Sequence, residues 1–202
     1  MDVQCELCPK QCIIAPGQSG ECRVRVNLDG SLRAVTYGHP CSLHVDPVEK
    51  KPIFHFLPGT STFSLATAGC NLHCKNCQNW EISQQNPEDV PGHALSPSGI
   101  VEMARAHQCL SVSFTYTDPV VFYEYALDGC IKAHESGLKN ILVTAAYINP
   151  APLRDLLTHV DGIRIDLKSM SDDFYRDICG ATLKPVLESL IMAKKMVRVL
   201  EV

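Results

Sequence analysis

The stretch "GCNLHCKNCQNW" (69–80) carries Cys70, Cys74 and Cys77 at the spacing C-x3-C-x2-C. Structural zinc takes four ligands, and an ordinary ferredoxin cluster also takes four thiolates. Three thiols on one short loop therefore either borrow a fourth ligand from elsewhere or leave a metal position open. On a 4Fe–4S cubane, three thiolates leave one iron available to a substrate or cofactor, as an open zinc position does in a catalytic site.

A second thiol group lies in "CELCPKQCIIAPGQSGEC", where Cys5, Cys8, Cys12 and Cys22 are spaced C-x2-C-x3-C-x9-C. Four thiols on a Gly- and Pro-rich loop suit a closed tetrahedral site, and the residues leave zinc, a second iron–sulfur cluster and unmetallated thiols open. An all-cysteine site would knit together a segment with too little core to fold alone. The chain has 11 cysteines, and "MDVQCELCPK" lacks the apolar region of a signal peptide. Metal or redox chemistry in a reducing, cytoplasmic setting is thus expected over a disulfide framework. Cys109, Cys130 and Cys179 stand singly and read as small buried hydrophobes, and Cys41 as a free thiol. His44, His55 and His73 form no metal-ligand pattern, and Trp80 is expected to plug the core.

A third feature is "GIRIDLK", in which Ile163, Ile165 and Leu167 share one strand face and Arg164, Asp166 and Lys168 the other. Three charged residues on one face of a central strand need either mutual pairing or a polar interior that holds a ligand.

These residues must be positioned by the elements around them. The predicted strands cover 62–68, 110–116, 140–145, 162–167 and 197–201, with helical stretches between them. Ser96 can cap a helix over 97–108, and Pro119 can open one that Gly137 ends. Pro152 suits the first turn of a helix over 152–159, Ser171 can start a short helix closed by Gly180, and Leu187, Leu190 and Ile191 make the next apolar stripe. Alternating strands and helices imply an α/β fold with a parallel sheet, whose ligands sit at the C-terminal strand ends. The first predicted strand leads directly into Gly69 and the three-cysteine loop. Residues 1–60 read as a Cys-rich extension with a hairpin at "VRVNLDGSLRAV" and a Pro-rich connector over 41–60, and 61–202 as the main domain.

With 202 residues, 46% of them hydrophobic, the chain can bury one sizeable core plus a small appendage. A formal charge of −4 with scattered basic residues argues against a nucleic-acid partner. Apolar runs such as "ILVTAAYI" are too short to span a bilayer, so no membrane partner is expected.

C-x3-C-x2-C on the loop after the first strand of a β/α chain resembles the radical S-adenosylmethionine superfamily. "DPVEKKPIFHFLPG", "CQNWEIS", "SFTYTDP", "TAAYINPAPL" and "DGIRIDLKSMSDDFYRDICGA" resemble the branch related to pyruvate formate-lyase-activating enzyme, specifically the AmmeMemoRadiSam-system subgroup. The resemblance implies a partial (β/α) barrel with about five of six strands. It also implies that Cys70, Cys74 and Cys77 hold a 4Fe–4S cluster whose open iron binds S-adenosylmethionine. One-electron reduction, by a donor such as flavodoxin or ferredoxin, would release a 5′-deoxyadenosyl radical that takes hydrogen from an unidentified substrate, which could be a protein.

In that family the second strand ends in a Gly-Gly-Glu-Pro-like motif. Here the matching "TYTDP" offers Asp118 to the cofactor's amino group, with Thr115 and Thr117 beside it. Asp166 and Lys168 match the family's Asp-x-Lys cofactor contact. Asn76 stands where many members place an aromatic residue, and Ala145-Ala146 where many place Asn-Gly. A full barrel of this type has six strands and a closing segment, whereas this sequence ends in "MVRVLEV". The expectation is a C-terminally truncated chain with weak turnover. The competing reading is a non-catalytic iron–sulfur or zinc protein for electron transfer or scaffolding.

Overall fold

The computed structural model describes residues 1–202. Its first strands are short: β1 (Val3–Gln4) pairs antiparallel with β2 (Ile13–Ile14), and β3 (Arg25–Leu28) with β4 (Ser31–Ala34). The second pair is the expected hairpin. Asp29 and Gly30 both take positive φ, 52° and 84°, as a two-residue turn matched to strand twist requires.

The main sheet has six strands, β5 (Ser42–Pro47), β6 (Ser61–Ala66), β7 (Ser111–Phe114), β8 (Lys139–Thr144), β9 (Gly162–Ile165) and β10 (Val199–Glu201), laid side by side in sequence order. Strands β6 to β10 are mutually parallel, and β5 runs antiparallel along β6. The five parallel strands fall where alternation places them. The edge strand β5 corrects the reading of 41–60 as a connector: prolines at 40, 47 and 52 mask it, yet only Pro47 lies within it, at its last position.

Helices α1 (Trp80–Ser83), α2 (Pro97–Ala106), α3 (Tyr123–Glu135), α4 (Pro150–Leu157), α5 (Asp172–Phe174) and α6 (Leu183–Met196) link the strands, with a π-turn over Tyr175–Cys179 after α5. Ser96 caps α2 by accepting from Gly99 N at 3.1 Å, and Ser171 caps α5. Gly180 ends the π-turn in the left-handed conformation. Two boundaries and one helix face differ from expectation. α3 starts at Tyr123, not Pro119, because Asp118 holds residues 119–122 in turns through Val120 N and Val121 N. α4 opens at Pro150, two residues early, so Pro152 still lies in the first turn. α6 buries Val186, Ser189 and Ala193, whereas Ile191 is 58% exposed, so the apolar stripe is rotated from the expected one.

One 37-residue core joins the convex sheet face to the helices. Phe63, Leu65, Val112, Phe114, Leu142, Ile163 and Ile165 all point into it, and Val24, Cys8 and Cys22 of the N-terminal segment belong to the same core. The concave face is different. Thr62, Ser64, Ser111 and Ser113 line it fully buried, and Val48 and Ile53 plug its lower end against Ile141. Phe56 crosses beneath Gly162, where an added Cβ would meet its ring at 3.0 Å. The sheet therefore curls around a small polar interior, closed below and open at the C-terminal strand ends.

Candidate functional site

A cavity of about 620 Å³ opens at those strand ends. Cys70, Cys74, Cys77 and Asn76 line one side, Thr115, Thr117 and Asp118 another, and Asp166 and Lys168 a third. The candidate cluster and cofactor residues of the main sheet thus meet at one opening, whereas Arg164 does not line it. Topology explains this: each follows a parallel strand, and parallel strands release their loops on one edge.

The thiol loop is held at many points. Gly69 N donates to Ile82 O (2.9 Å), the buried Asn71 amide to Tyr147 O (2.7 Å), and the Asn79 amide to Tyr116 O (2.6 Å). The π-turn supplies two more acceptors: His73 N bonds Cys179 O at 2.8 Å and Lys75 N bonds Ile178 O at 3.0 Å. Leu72 N reaches Cys70 Sγ at 3.4 Å, and Ser83 Oγ lies 3.2 Å from Cys77 Sγ. Burial and the nearby Asp118 carboxylate push the Cys70 thiol well up, and burial with Cys179 alongside pushes Cys74 up to about 12. A bound metal would have to displace those protons.

The donor set fits an iron–sulfur cluster: three soft thiols on one loop, all half-buried, facing a cavity with room for more than a single ion. No three Cys, His, Asp or Glu side chains stand at ready ligand spacing about one point, so binding would draw the thiols inward.

Asp118 is buried, and its carboxylate is largely committed. Oδ1 accepts from Val120 N (3.1 Å) and Thr144 Oγ1 (2.8 Å), and Oδ2 from Ala145 N (2.9 Å). Burial nevertheless pushes its pKa up, against these donors and Lys168. Asp118 thereby bolts the end of β7 to the end of β8. Thr117 Oγ1 similarly donates to Thr67 O at 2.8 Å. Asp166 is ion-paired with Lys168 (3.0 Å) and Arg164 (3.5 Å), so the charged face of "GIRIDLK" is self-paired, with Asp166 and Lys168 at the cavity. Burial would lower Lys168, but the Asp166 carboxylate holds it above its usual value.

Sequence pattern did not single out the opposite wall. Asp46 and Lys51, 3% and 2% exposed, pair at 2.6 Å, and Lys51 Nζ sits 4.0 Å from the centre of the Tyr116 ring. Tyr116 also donates its hydroxyl to Asp46 and holds a positive φ of 64°. That strained backbone rolls Tyr116 toward β5 between two threonines that line the cavity. Cys179 lies beside Cys74 rather than standing alone. Trp80 is 56% exposed, not a core plug, because it opens the short helix that leaves the loop.

Residues 64–201 match the family model described as the Radical SAM superfamily. The chain belongs to that superfamily. An uncharacterized protein of Methanocaldococcus jannaschii is 47% identical over 194 residues, which cover 96% of this chain and 57% of that protein. The chain thus spans little more than half the length of its curated relative. Among solved structures, QueE from Escherichia coli is similar with a TM-score of 0.46 at 12% identity, covering 80% of this chain and 82% of that one. A structure of TYW1 with a lysine-pyruvate adduct bound gives 0.44 at 19% identity, covering 68% and 53%. No helix here is long and apolar enough to cross a membrane.

Proposed function

We propose that the chain is the catalytic core of a radical S-adenosylmethionine enzyme of the AmmeMemoRadiSam subgroup, related to activating enzymes. The observation that carries this reading is the convergence of Cys70, Cys74 and Cys77 on one 620 Å³ cavity with Asp118, Asp166 and Lys168. When bound there, a 4Fe–4S cluster and S-adenosylmethionine supply one-electron cleavage of the sulfonium and hydrogen abstraction from substrate.

Cys70, Cys74 and Cys77 are the residues that would hold the cluster as thiolates. Thr115 and Thr117 present short hydroxyl side chains beside Asp118, whose residual acceptor capacity suits the ammonium of an amino acid. The Asp166–Lys168 pair offers an acceptor and a cation together, a match for ribose hydroxyls and a carboxylate. Asp118 in addition keeps the rim rigid, and the Asp46–Lys51–Tyr116 wall keeps water from the cavity's lower end. The reductant would be a flavodoxin or ferredoxin, and the substrate, small molecule or protein, would enter from the open strand ends. An electron carrier needs no charged strand ends around its cluster, which disfavours that reading.

The test is anaerobic reconstitution of the chain with iron and sulfide, reduction with dithionite, and addition of S-adenosylmethionine. A changed cluster EPR signal and release of 5′-deoxyadenosine are expected, both lost in Cys74→Ala. A cluster whose EPR signal ignores S-adenosylmethionine would leave the electron-transfer reading in its place.

A further inference from the structure

The N-terminal thiols line one pocket although they span 18 residues of loop and strand, and, as at the three-cysteine loop, a metal would draw them inward to ligand spacing. Cys5, Cys8 and Cys22 are 6%, 9% and 8% exposed, Cys12 is half-buried, and all four line one pocket of about 20 Å³. Two tight turns carry them. Gln11 N bonds Cys8 O at 3.1 Å with Gln11 at φ 46°, and Arg23 N bonds Gly20 O at 2.9 Å with Arg23 at φ 67°. Cys5 N closes the first group onto Cys12 O at 2.9 Å.

The surroundings suit thiolates. Lys10, Asn71 and Arg25 line the same pocket as the four thiols and bring N–H donors to its wall. Donors of that kind orient metal-bound sulfur and offset its charge. The Arg25 guanidinium lies close to Cys5 and Cys22, anchored by Glu124, so a cation stands beside the four thiols. Without a metal this is a costly arrangement, because the thiols are gathered by two turns whose Gln11 and Arg23 hold positive φ.

We propose that Cys5, Cys8, Cys12 and Cys22 bind one Zn²⁺ ion in a closed four-thiolate site that braces the three-cysteine loop. Size favours a single ion. A pocket of about 20 Å³ is close to the space of one water-sized sphere, so one ion asks a far smaller rearrangement of the four thiols than a four-iron cubane would. An all-sulfur tetrahedral set favours zinc among single ions, and a closed set is structural rather than catalytic. The brace is direct. A Cβ on Gly69 would stand 2.4 Å from Val24 Cγ2 and 2.6 Å from the Cys22 carbonyl, and Asn71 of the loop lines the same pocket as Cys8.

The test is metal analysis of the whole chain carrying Cys70→Ala, Cys74→Ala and Cys77→Ala, which removes the other thiol group whatever its role. About one zinc per chain is expected after dialysis against a weak chelator. Cobalt replacement should give the intense visible bands and thiolate charge-transfer absorption of a tetrahedral four-sulfur site. Adding Cys8→Ser and Cys22→Ser should cut bound metal more than tenfold. Because those variants could misfold, the second measurement is zinc stripping from the otherwise unaltered chain by an organomercurial, with thermal unfolding followed alongside. Stripping should lower Tm by about 10 °C or more. Iron and sulfide retained in the triple variant would overturn the zinc assignment. Four thiols freely titrating in a metal-free chain of unchanged Tm would overturn the site altogether.

Discussion

The side-chain amide of Asn71 donates to the carbonyl oxygen of Tyr147 across 2.7 Å, with both residues buried. The bond joins the thiol loop after β6 to the segment after β8, two strands away in the sheet. Asn71→Ala would leave the Tyr147 carbonyl without its donor, a loss of about 1–3 kcal/mol. Urea unfolding should show a lower midpoint at unchanged m-value. A loss under about 0.5 kcal/mol would mean that water replaces the amide and that the loop is not braced there.

Gly69 makes a stronger demand. Its φ is +91°, and the two contacts that a Cβ would make are with Val24 Cγ2 and the Cys22 carbonyl. A positive φ costs a non-glycine residue about 1–2 kcal/mol, and overpacking adds about 1–3 kcal/mol. Gly69→Ala should therefore cost at least about 2 kcal/mol by thermal unfolding. Adding Val24→Ala removes one clash and leaves the carbonyl, so it should recover only part of that loss. Full recovery would show that the Cys22 turn yields freely and does not press on the loop.

Asp46 and Lys51 give the clearest pH signature. Three donors, Lys50, Lys51 and Tyr116, hold the Asp46 carboxyl well below its usual range despite burial. Its folded pKa lies under its unfolded one, so its contribution is complete above about pH 4 and is lost as pH falls through the folded value. Lys51, lowered by burial with Asp46 opposing, adds nothing in that acid window. Asp46→Asn would strand a buried ammonium at a cost of about 3–5 kcal/mol, and Lys51→Met on top should restore most of it. Stability measured from pH 6 to pH 2 should fall less steeply in the double variant than in the parent chain. Equal slopes would place the acid sensitivity elsewhere.

Much of this was legible because the chemistry rides on strict local patterns. Alternation in "GIRIDL" separated Ile163 and Ile165 from Arg164 and Asp166, and the strand that follows each β/α unit fixed the shared edge where Cys70, Asp118 and Lys168 meet. β5 was hidden because its pairing is set by β6, while its own "SLHVDP" alternates weakly and ends in proline. The Asp46–Lys51–Tyr116 wall was hidden for a related reason. Sequence shows Lys50 and Lys51 as adjacent charges, and only the fold decides that one is buried at 2% and the other 61% exposed. Cys179 looked solitary since its neighbour Cys74 lies over a hundred residues earlier in the chain. Asp118 was found by motif, but its bonds to Thr144 and Ala145 depend on β7 and β8 being adjacent.

The Asp166–Lys168 pair separates function from fold. Its side chains are 38% and 33% exposed, and a pair so placed contributes only about 0–1 kcal/mol to stability. If the two residues contact the cofactor, their loss should instead appear in binding. Asp166→Asn removes a charged acceptor worth about 1.5–3 kcal/mol, which is roughly a tenfold or larger loss of S-adenosylmethionine affinity. Equilibrium dialysis with the reconstituted chain would read that loss, while Tm should stay within about 2 °C of the parent. Lys168→Met should weaken binding in the same sense, and more at low ionic strength than at high, because a partly exposed cation acts through a screened field. Unchanged affinity in both variants, with clusters intact by absorbance, would remove the pair from the cofactor site and leave it a surface ion pair of the β9 end.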